Sequence, residues 1–370
     1  MEDERYMRIA LDLARAAEGQ TGTNPTVGCV VVKEGRIVGL GAHLRQGDAH
    51  AEVHALNMAG SNAEGSTVYV TLEPCSHYGR TPPCAERLVR EQVSRVVVAM
   101  TDPNPLVAGR GLACLREQGV EVLSGVLEQE AKQLNEVYIH YITTGRPFVA
   151  VKTASTLDGR IATHSGDSQW VTGSSARQAV HILRRRYAAI LVGVGTLLAD
   201  NPRLTARGDA SPERQPLRVI LDSQLRTPPD SAALAPRADG LPPALLCATA
   251  AAPAAARTAL AQRGAAIIDC GPGPRVDLTL ALAALGKRNI ASVLVEGGGT
   301  VSGALLAAGL VDKVYAFIAP KIIGVGGPAN FDFPGRPSMG EAIQLERVHT
   351  ATYDEDILII GYLSKSSARR

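Results

Sequence analysis

The chain has 370 residues, and its 38 Lys plus Arg against 36 Asp plus Glu leave a formal net charge of +2. That balance carries no electrostatic footprint for a long polyanion, and aromatics at 4%, with Trp170 the single tryptophan, make no stacking platform for single-stranded nucleic acid. The length suits two domains with a core each. No apolar run approaches a membrane span, and the start "MEDERYMRIALDLA", acidic and then amphipathic, is not a signal peptide. The expectation is a cytoplasmic protein with neither nucleic acid nor membrane as partner.

In chain order, "RYMRIALDLARAAEG" has helical periodicity, and "VGCVVVKEGRIVGLGAH" is two apolar runs around a turn at Glu34-Gly35. A helix "AEVHALNMA", a strand "STVYVTLEP", a helix from Cys84 in "CAERLVREQ" and a strand "VSRVVVAMTDPNP" follow, then "GLACLREQG" and "VEVLSGV". "YITTGRPFVAVKTA" marks a joint: a helix ends near Thr144-Gly145 and a strand begins after Pro147. Domains of 1–145 and 146–370 are expected, both α/β.

The second half repeats the alternation. Strand "FVAVKTAST", helix "SARQAVHILRRRY" and strands "AAILVGVG", "LRVILDS" and "PALLCATA" lead to helix "AARTALAQRG" and strand "AAIIDC". "SVLVEGGGTVSGALLAAGL" is a strand, a glycine turn and a helix; "KVYAFIAP" and "ILIIGYL" are further strands. Residues 228–256, rich in Ala and Pro, suggest a loop and a surface helix without chemistry.

Six cysteines are too few for a disulfide scaffold. Cys29, Cys247 and Cys270 lie in or beside apolar runs and Cys114 on a helical apolar face, as small buried hydrophobes do. Cys75 and Cys84 differ, because "LEPCSHYGRTPPC" is polar and rich in turn residues. With His50 they make three soft ligands, which leaves the fourth position of a tetrahedral zinc open, as in catalytic sites. His50-Ala51-Glu52 ahead of Pro-Cys and a second Cys is the zinc deaminase pattern, in which the glutamate moves protons and is no ligand. The gap between the cysteines is eight residues where two are usual. A structural zinc with His77 as fourth ligand is the alternative, and His54 is expected to be a packed helix histidine.

That long gap carries a resemblance. "EPCSHYGRTPPC", with "NPTVGCVVV", "HAEVHAL" and "DPNPLVAGRG", is similar to the deaminase half of the bifunctional riboflavin biosynthesis family, diaminohydroxyphosphoribosylaminopyrimidine deaminase/5-amino-6-(5-phosphoribosylamino)uracil reductase. "VKTASTLDGRIAT", "SQWVTG", "VGVGTLLADNPRLTAR" and "VEGGGTVSGALL" extend it through the second half. The resemblance implies a cytidine-deaminase-like α/β/α domain followed by a dihydrofolate-reductase-like α/β domain. It implies one Zn2+ per chain on His50, Cys75 and Cys84, with Glu52 as proton shuttle. It also implies that Asn24, His43, Asp102 and Asn104 line the pyrimidine and ribose, and that Arg80 reaches the phosphate.

In the second half, a glycine-rich strand–helix turn such as "EGGGTVSG" lets helix N-terminal amides approach a phosphate, although tight packing explains such turns equally well. "VGVGTLLAD" is expected to be a second turn of this kind. The resemblance implies NADPH, with contacts at Ala154, Trp170, Thr196, Asp200, Ser223, Gly298, Gly299, Thr300, Val301, Ser302, Gly303 and Ala304. Substrate contacts are implied at Lys152, Ser168, Arg184, Leu204, Arg207 and Glu296. The reaction implied is zinc-dependent deamination of a phosphorylated pyrimidine and then reduction of its ribosyl side chain to ribityl, in a homo-oligomeric enzyme. A nucleic-acid-editing deaminase would share the zinc pattern but not the neutral charge. A nucleotide-sensing module without chemistry would lack Glu52 or a ligand.

Overall fold

A glycine divides the chain. Gly145 caps a helix in the left-handed conformation (φ 69°), and the computed structural model separates there into two units, before and after the Gly145–Arg146 bond. Residues 2–78, 82–105, 107–208 and 215–364 are described.

The first unit runs α1 (Glu2–Ala16), β1 (Gly28–Lys33), β2 (Arg36–Ala42), α2 (Ala51–Ala59), β3 (Thr67–Val70), α3 (Cys84–Arg90), β4 (Arg95–Val98), α4 (Arg110–Glu117), β5 (Glu121–Ser124), α5 (Glu128–Leu134) and α6 (Glu136–Thr144). Its sheet has the order β2-β1-β3-β4-β5; β1 is antiparallel to β2 and β3, and β3, β4 and β5 are parallel. Glu34 and Gly35, both at positive φ (50° and 74°), make the tight turn between β1 and β2. Pairing puts Gly41 opposite Cys29 and Gly28 opposite Ala42, so the two glycines face opposite sides of the sheet. A Cβ on Gly28 would meet Ala10 O of α1 at 1.9 Å, and one on Gly41 would meet Ala51 O of α2 at 2.1 Å. The two helices therefore cover opposite faces, which makes three layers.

The second unit runs β6 (Phe148–Thr156), α7 (Ser174–Arg186), β7 (Ala189–Gly193), α8 (Val194–Asp200), β8 (Leu217–Leu221), β9 (Leu245–Ala248), α9 (Ala254–Gln262), β10 (Ala266–Asp269), α10 (Leu278–Gly286), β11 (Ser292–Val295), α11 (Gly299–Ala307), β12 (Lys313–Ala319), β13 (Leu345–Tyr353) and β14 (Asp356–Leu363). The strand order is β10-β9-β8-β7-β11-β6-β12-β14-β13, parallel as far as β12 and closed by the antiparallel β14 and β13. Alternate residues of the central strands enter separate cores: Ala189 and Leu191 pack with α10 and α11, whereas Ile190 and Val192 pack with α8 and α9. Both faces are thus buried, which explains the uninterrupted apolar runs. β13 is the exception, an edge strand exposed over most of its length, with a register shift between Glu346 and His349.

Three local expectations change. The strand expected through "AAILVGVG" stops at Gly193 and α8 starts at once, so no glycine turn intervenes. The strand expected through "STVYVTLEP" stops at Val70, which leaves Cys75 in irregular chain beyond β3, and the one expected through "VSRVVVAMTDPNP" stops at Val98. Among the described residues, no helix is long and apolar enough to cross a membrane.

Candidate active sites

In the first unit, His50 stands just ahead of α2 with an extended backbone (φ −71°, ψ 161°), while Glu52 lies in the first turn. The break in helical geometry lets the two side chains converge, which an unbroken helix would forbid at this spacing. Cys84 opens α3, and Ala85 N–H donates to Cys75 O at 3.2 Å, closing the inter-cysteine loop. His50 Nδ1 lies 3.3 Å from Cys84 Sγ and 3.5 Å from Cys75 Sγ. The three ligand atoms all fall within 4.8 Å of one another. Nitrogen and sulfur ligands around tetrahedral zinc stand about 3.6 Å apart, from bond lengths of roughly 2.0–2.1 and 2.3 Å. The two nitrogen–sulfur separations match that ion to within tenths of an ångström. His77 is exposed and outside the group, which leaves the four-ligand alternative without its extra ligand. His54 is exposed on α2, not packed as expected.

The electrostatics suit metal and proton chemistry. A hydrogen bond from Cys84, reinforced by His50 and by Cys84 N–H at 3.3 Å, outweighs burial and pulls the Cys75 thiol down to about 4. The contact with Cys75 raises His50. Glu52 is 3% exposed; burial first, and then the negative Cys75, push its carboxyl up to about 7. A carboxyl poised there can take and return a proton near neutral pH.

Around this group, His43 Nδ1 faces Ala49 O at 3.2 Å and Nε2 faces Asn24 Nδ2 at 3.1 Å. Burial lowers the pKa of His43, so the neutral ring carries its proton on Nδ1 and accepts from Asn24 on Nε2. Its ring meets that of His50 edge-on, with centroids 5.6 Å apart. Asp102, buried and raised by that burial, accepts at Oδ1 from Asn104 N–H and Tyr138 O–H, each at 2.9 Å. Tyr138 and the buried Glu73, which binds the segment after β4, were not expected from the sequence. Arg80 lies outside the described residues.

In the second unit, the expected residues gather at the C-terminal ends of parallel strands. Lys152 and Ala154 are on β6, Thr196 and Asp200 on α8 directly after β7, Ser223 follows β8, and Glu296 and the run Gly298–Ala304 follow β11. The connections leaving β7 and β11 depart in opposite directions, to β8 and to β12, and such a switch point is where open α/β sheets bind ligands. The ends meet there: Gly298 N–H donates to Thr196 Oγ1 at 3.1 Å. Arg184 of α7 grips Glu296 bidentately (2.5 and 2.8 Å) and donates to Thr205 O at 3.0 Å. Although burial opposes its charge, Arg184 and Lys152 hold Glu296 below the usual carboxylate range, and burial lowers Lys152. The backbone of Arg207 is tied to His181 of α7 at 3.2 Å, one helical turn before Arg184. Leu204 is buried at positive φ (51°), and Ser168 is half-buried. Trp170 is 61% exposed, so it is no core residue; Arg177 stacks 4.6 Å from its ring centre.

Sequence comparison extends these observations to known proteins. Residues 1–100 match the cytidine and deoxycytidylate deaminase zinc-binding region, and residues 147–359 match the RibD C-terminal domain. The riboflavin biosynthesis protein RibD of Bacillus amyloliquefaciens is 44% identical over 357 residues, 96% of this chain and 95% of that one. The chain belongs to the RibD family. The RibD of Escherichia coli (strain K12) is 43% identical, over 94% of this chain and 95% of its own. Among solved structures, Acinetobacter baumannii RibD (form 1) superposes with a TM-score of 0.89 at 39% identity, over 98% of this chain and 99% of that one. A diaminohydroxyphosphoribosylaminopyrimidine deaminase/5-amino-6-(5-phosphoribosylamino)uracil reductase from Thermotoga maritima gives 0.85 at 37% identity, over 98% and 99%.

As a RibD protein the chain is a bifunctional deaminase and reductase of riboflavin biosynthesis, with a deaminase-like domain before a reductase domain and with zinc and NADPH as cofactors. The switch point fits a nucleotide. Ser302 Oγ is buried in the first turn of α11 without a partner among the described residues, and a Cβ on Gly298 would find only Thr196 Oγ1, at 3.8 Å. The other glycines there serve packing: a Cβ on Gly299 would strike Ala329 O at 2.2 Å, and one on Gly303 would strike Asp332 O at 2.2 Å.

Proposed function

We propose that residues 1–145 hold zinc on His50, Cys75 and Cys84 and deaminate 2,5-diamino-6-ribosylamino-4(3H)-pyrimidinone 5′-phosphate. Residues 146–370 then reduce the ribosyl side chain to ribityl, giving 5-amino-6-(5-phosphoribitylamino)uracil. The observation that carries the reading is the closure of the three ligand atoms beside the buried Glu52 carboxyl. Zinc supplies a Lewis acid that makes water nucleophilic near neutral pH. Glu52 carries one proton of the attacking water to the ring nitrogen and then the second, from the hydroxyl newly bonded to the ring carbon, to the amine; the carbon–amine bond breaks as the carbonyl forms, so that water enters and ammonia leaves. Asn24, His43, Asp102 and Asn104 hold the pyrimidine and ribose, and Arg80 holds the phosphate.

NADPH supplies the hydride for the second reaction, at C1 of the ring-opened sugar. Ala154, Trp170, Thr196, Asp200, Ser223 and residues 298–304 would hold it, and Lys152, Ser168, Arg184, Leu204, Arg207 and Glu296 receive the substrate. Arg184 keeps two N–H donors beyond those that engage Glu296 and Thr205 O, and together with the exposed Arg207 it supplies positive charge for the substrate phosphate. A cytoplasmic homo-oligomer acting on small molecules alone completes the reading; mass measurement in solution tests the assembly.

The test is Glu52→Gln, which keeps size but cannot accept the proton. Deamination should fall about 10⁴-fold, the upper range for a proton-transfer group. Zinc content and NADPH oxidation with already deaminated substrate should stay at wild type. A parallel loss of both activities in folded protein would refute the division of labour.

A further inference from the structure

Glu73 is the largest buried polar commitment in the deaminase unit that the chemistry above leaves unused. It is 3% exposed and lies two residues ahead of Cys75. Its Oε2 accepts from Asp102 N–H (3.1 Å) and Gly109 N–H (2.9 Å), and its Oε1 from Gly111 N–H (2.9 Å) and Leu112 N–H (3.3 Å). A carboxylate offers about four acceptor directions, and here all of them go to the backbone of one segment. The seat is close-fitting as well: a Cβ on Gly111 would lie 2.1 Å from Pro74 O and 3.2 Å from Glu73 Oε1. Strand pairing cannot satisfy these N–H groups: Asp102 and Gly109 lie outside any strand, and Gly111 and Leu112 are in the first turn of α4, whose N–H groups have no partner within the helix. One side chain therefore registers the segment carrying Asp102 and Asn104 against the loop that carries Cys75.

We propose that Glu73 is a positioning residue of the deaminase, which sets the placement of Asp102 and Asn104 relative to the His50–Cys75–Cys84 group and so sets affinity for the pyrimidine substrate. The inference rests on the reading that Asp102 and Asn104 line that substrate. Asp102 itself is held at one oxygen by Asn104 N–H of the same segment and by Tyr138 O–H of α6, so a shift of the segment pulls its carboxylate out of register with Tyr138. A glutamine at position 73 would match the volume but replace one oxygen by an amide NH2, which points donors at N–H groups that need an acceptor. Two of the four bonds would be lost, and the segment would drift from the metal group.

The experiment compares full-length wild type, Glu73→Gln, Glu73→Asp and Asp102→Ala. Zinc content, KM and kcat for deamination, and NADPH oxidation with deaminated substrate are measured on each. Glu73→Gln should keep its zinc and its reductase rate while KM for deamination rises about tenfold, equivalent to roughly 1.4 kcal/mol, with a smaller change in kcat. Glu73→Asp keeps the charge at shorter reach and should show a smaller rise; where Glu73→Gln does not fold, this variant carries the test. An unchanged KM in the Glu73 variants, with activity lost only in proportion to folded protein, makes the residue purely structural and overturns the proposal. Loss of zinc also overturns it, since Glu73 would then serve the metal loop. If Asp102→Ala raises KM and the Glu73 variants do not, Glu73 alone is rejected. If Asp102→Ala leaves KM unchanged, the assignment of the segment to the substrate falls, and the proposal with it.

Discussion

The proposed deaminase group draws its metal ligands and its proton carrier from residues 50 to 84, whereas the proposed reductase site is collected from residue 152 to residue 304 across four neighbouring strand ends. In the first, a few atoms must stand at fixed bond distances, so short helix starts and one closed loop bring them together. In the second, a long cofactor and its substrate must be laid side by side, so the fold offers the rim of a parallel sheet. The first site should be brittle toward single atoms; the second should depend on charge pairs that hold a surface in shape.

The sharpest break is Cys84→Ser. A hydroxyl is not ionised where a thiolate is needed, so zinc and deamination should be lost together while reduction continues. Elemental analysis beside the two assays decides it; full zinc occupancy would remove Cys84 from the ligand set.

A smaller effect is expected at the reductase site, where Arg184→Ala strands Glu296 with its side chain 8% exposed. Removing one partner of a buried pair typically costs about 3 kcal/mol or more. Denaturant unfolding should show that loss in the second unit's transition. The double variant Arg184→Met/Glu296→Gln should recover most of the stability but not the reduction. Wild-type stability in the single variant would mean that the pair behaves as a surface ion pair.

The gentlest test is pH. Burial disfavours the ammonium form of Lys152, so in the folded protein it loses its proton below the ordinary lysine value of about 10.4. Reduction that needs the cation should therefore decline as pH rises through that lowered value, and Lys152→Arg should carry the decline upward. Between the folded and unfolded values the unfolded chain binds more protons, so this group makes stability rise with pH. An alkaline limb unmoved by Lys152→Arg would exclude Lys152 as its source.

The same contrast explains what the sequence makes readable. His50, Glu52, Cys75 and Cys84 are close in sequence and chemically distinctive, and the β-branched runs of both sheets announce their burial. Glu73 went unread because its partners are backbone N–H groups, which leave no residue-type signature. The Arg184–Glu296 pair was invisible as a pair because it joins α7 to the end of β11 across 112 positions. α10 escaped because "LTLALAALG" is apolar on most sides and has little periodicity, although Asp277 caps it by accepting from Leu280 N–H at 3.0 Å. β13 escaped for the opposite reason, since "LERVHTATY" buries no regular face.

That last strand has a consequence for how the protein keeps to itself in a crowded solution. A nine-residue edge with open N–H and C=O groups is a template on which another chain's strand could add. Here the register shift falls between Glu346 and His349, and Arg347, at positive φ (49°), lays its guanidinium 3.6 Å from the ring centre of Tyr362. The kink and the charge interrupt the row of unpaired groups part-way along. An interruption of this kind shortens the run on which a foreign strand could pair along the rim of the reductase sheet.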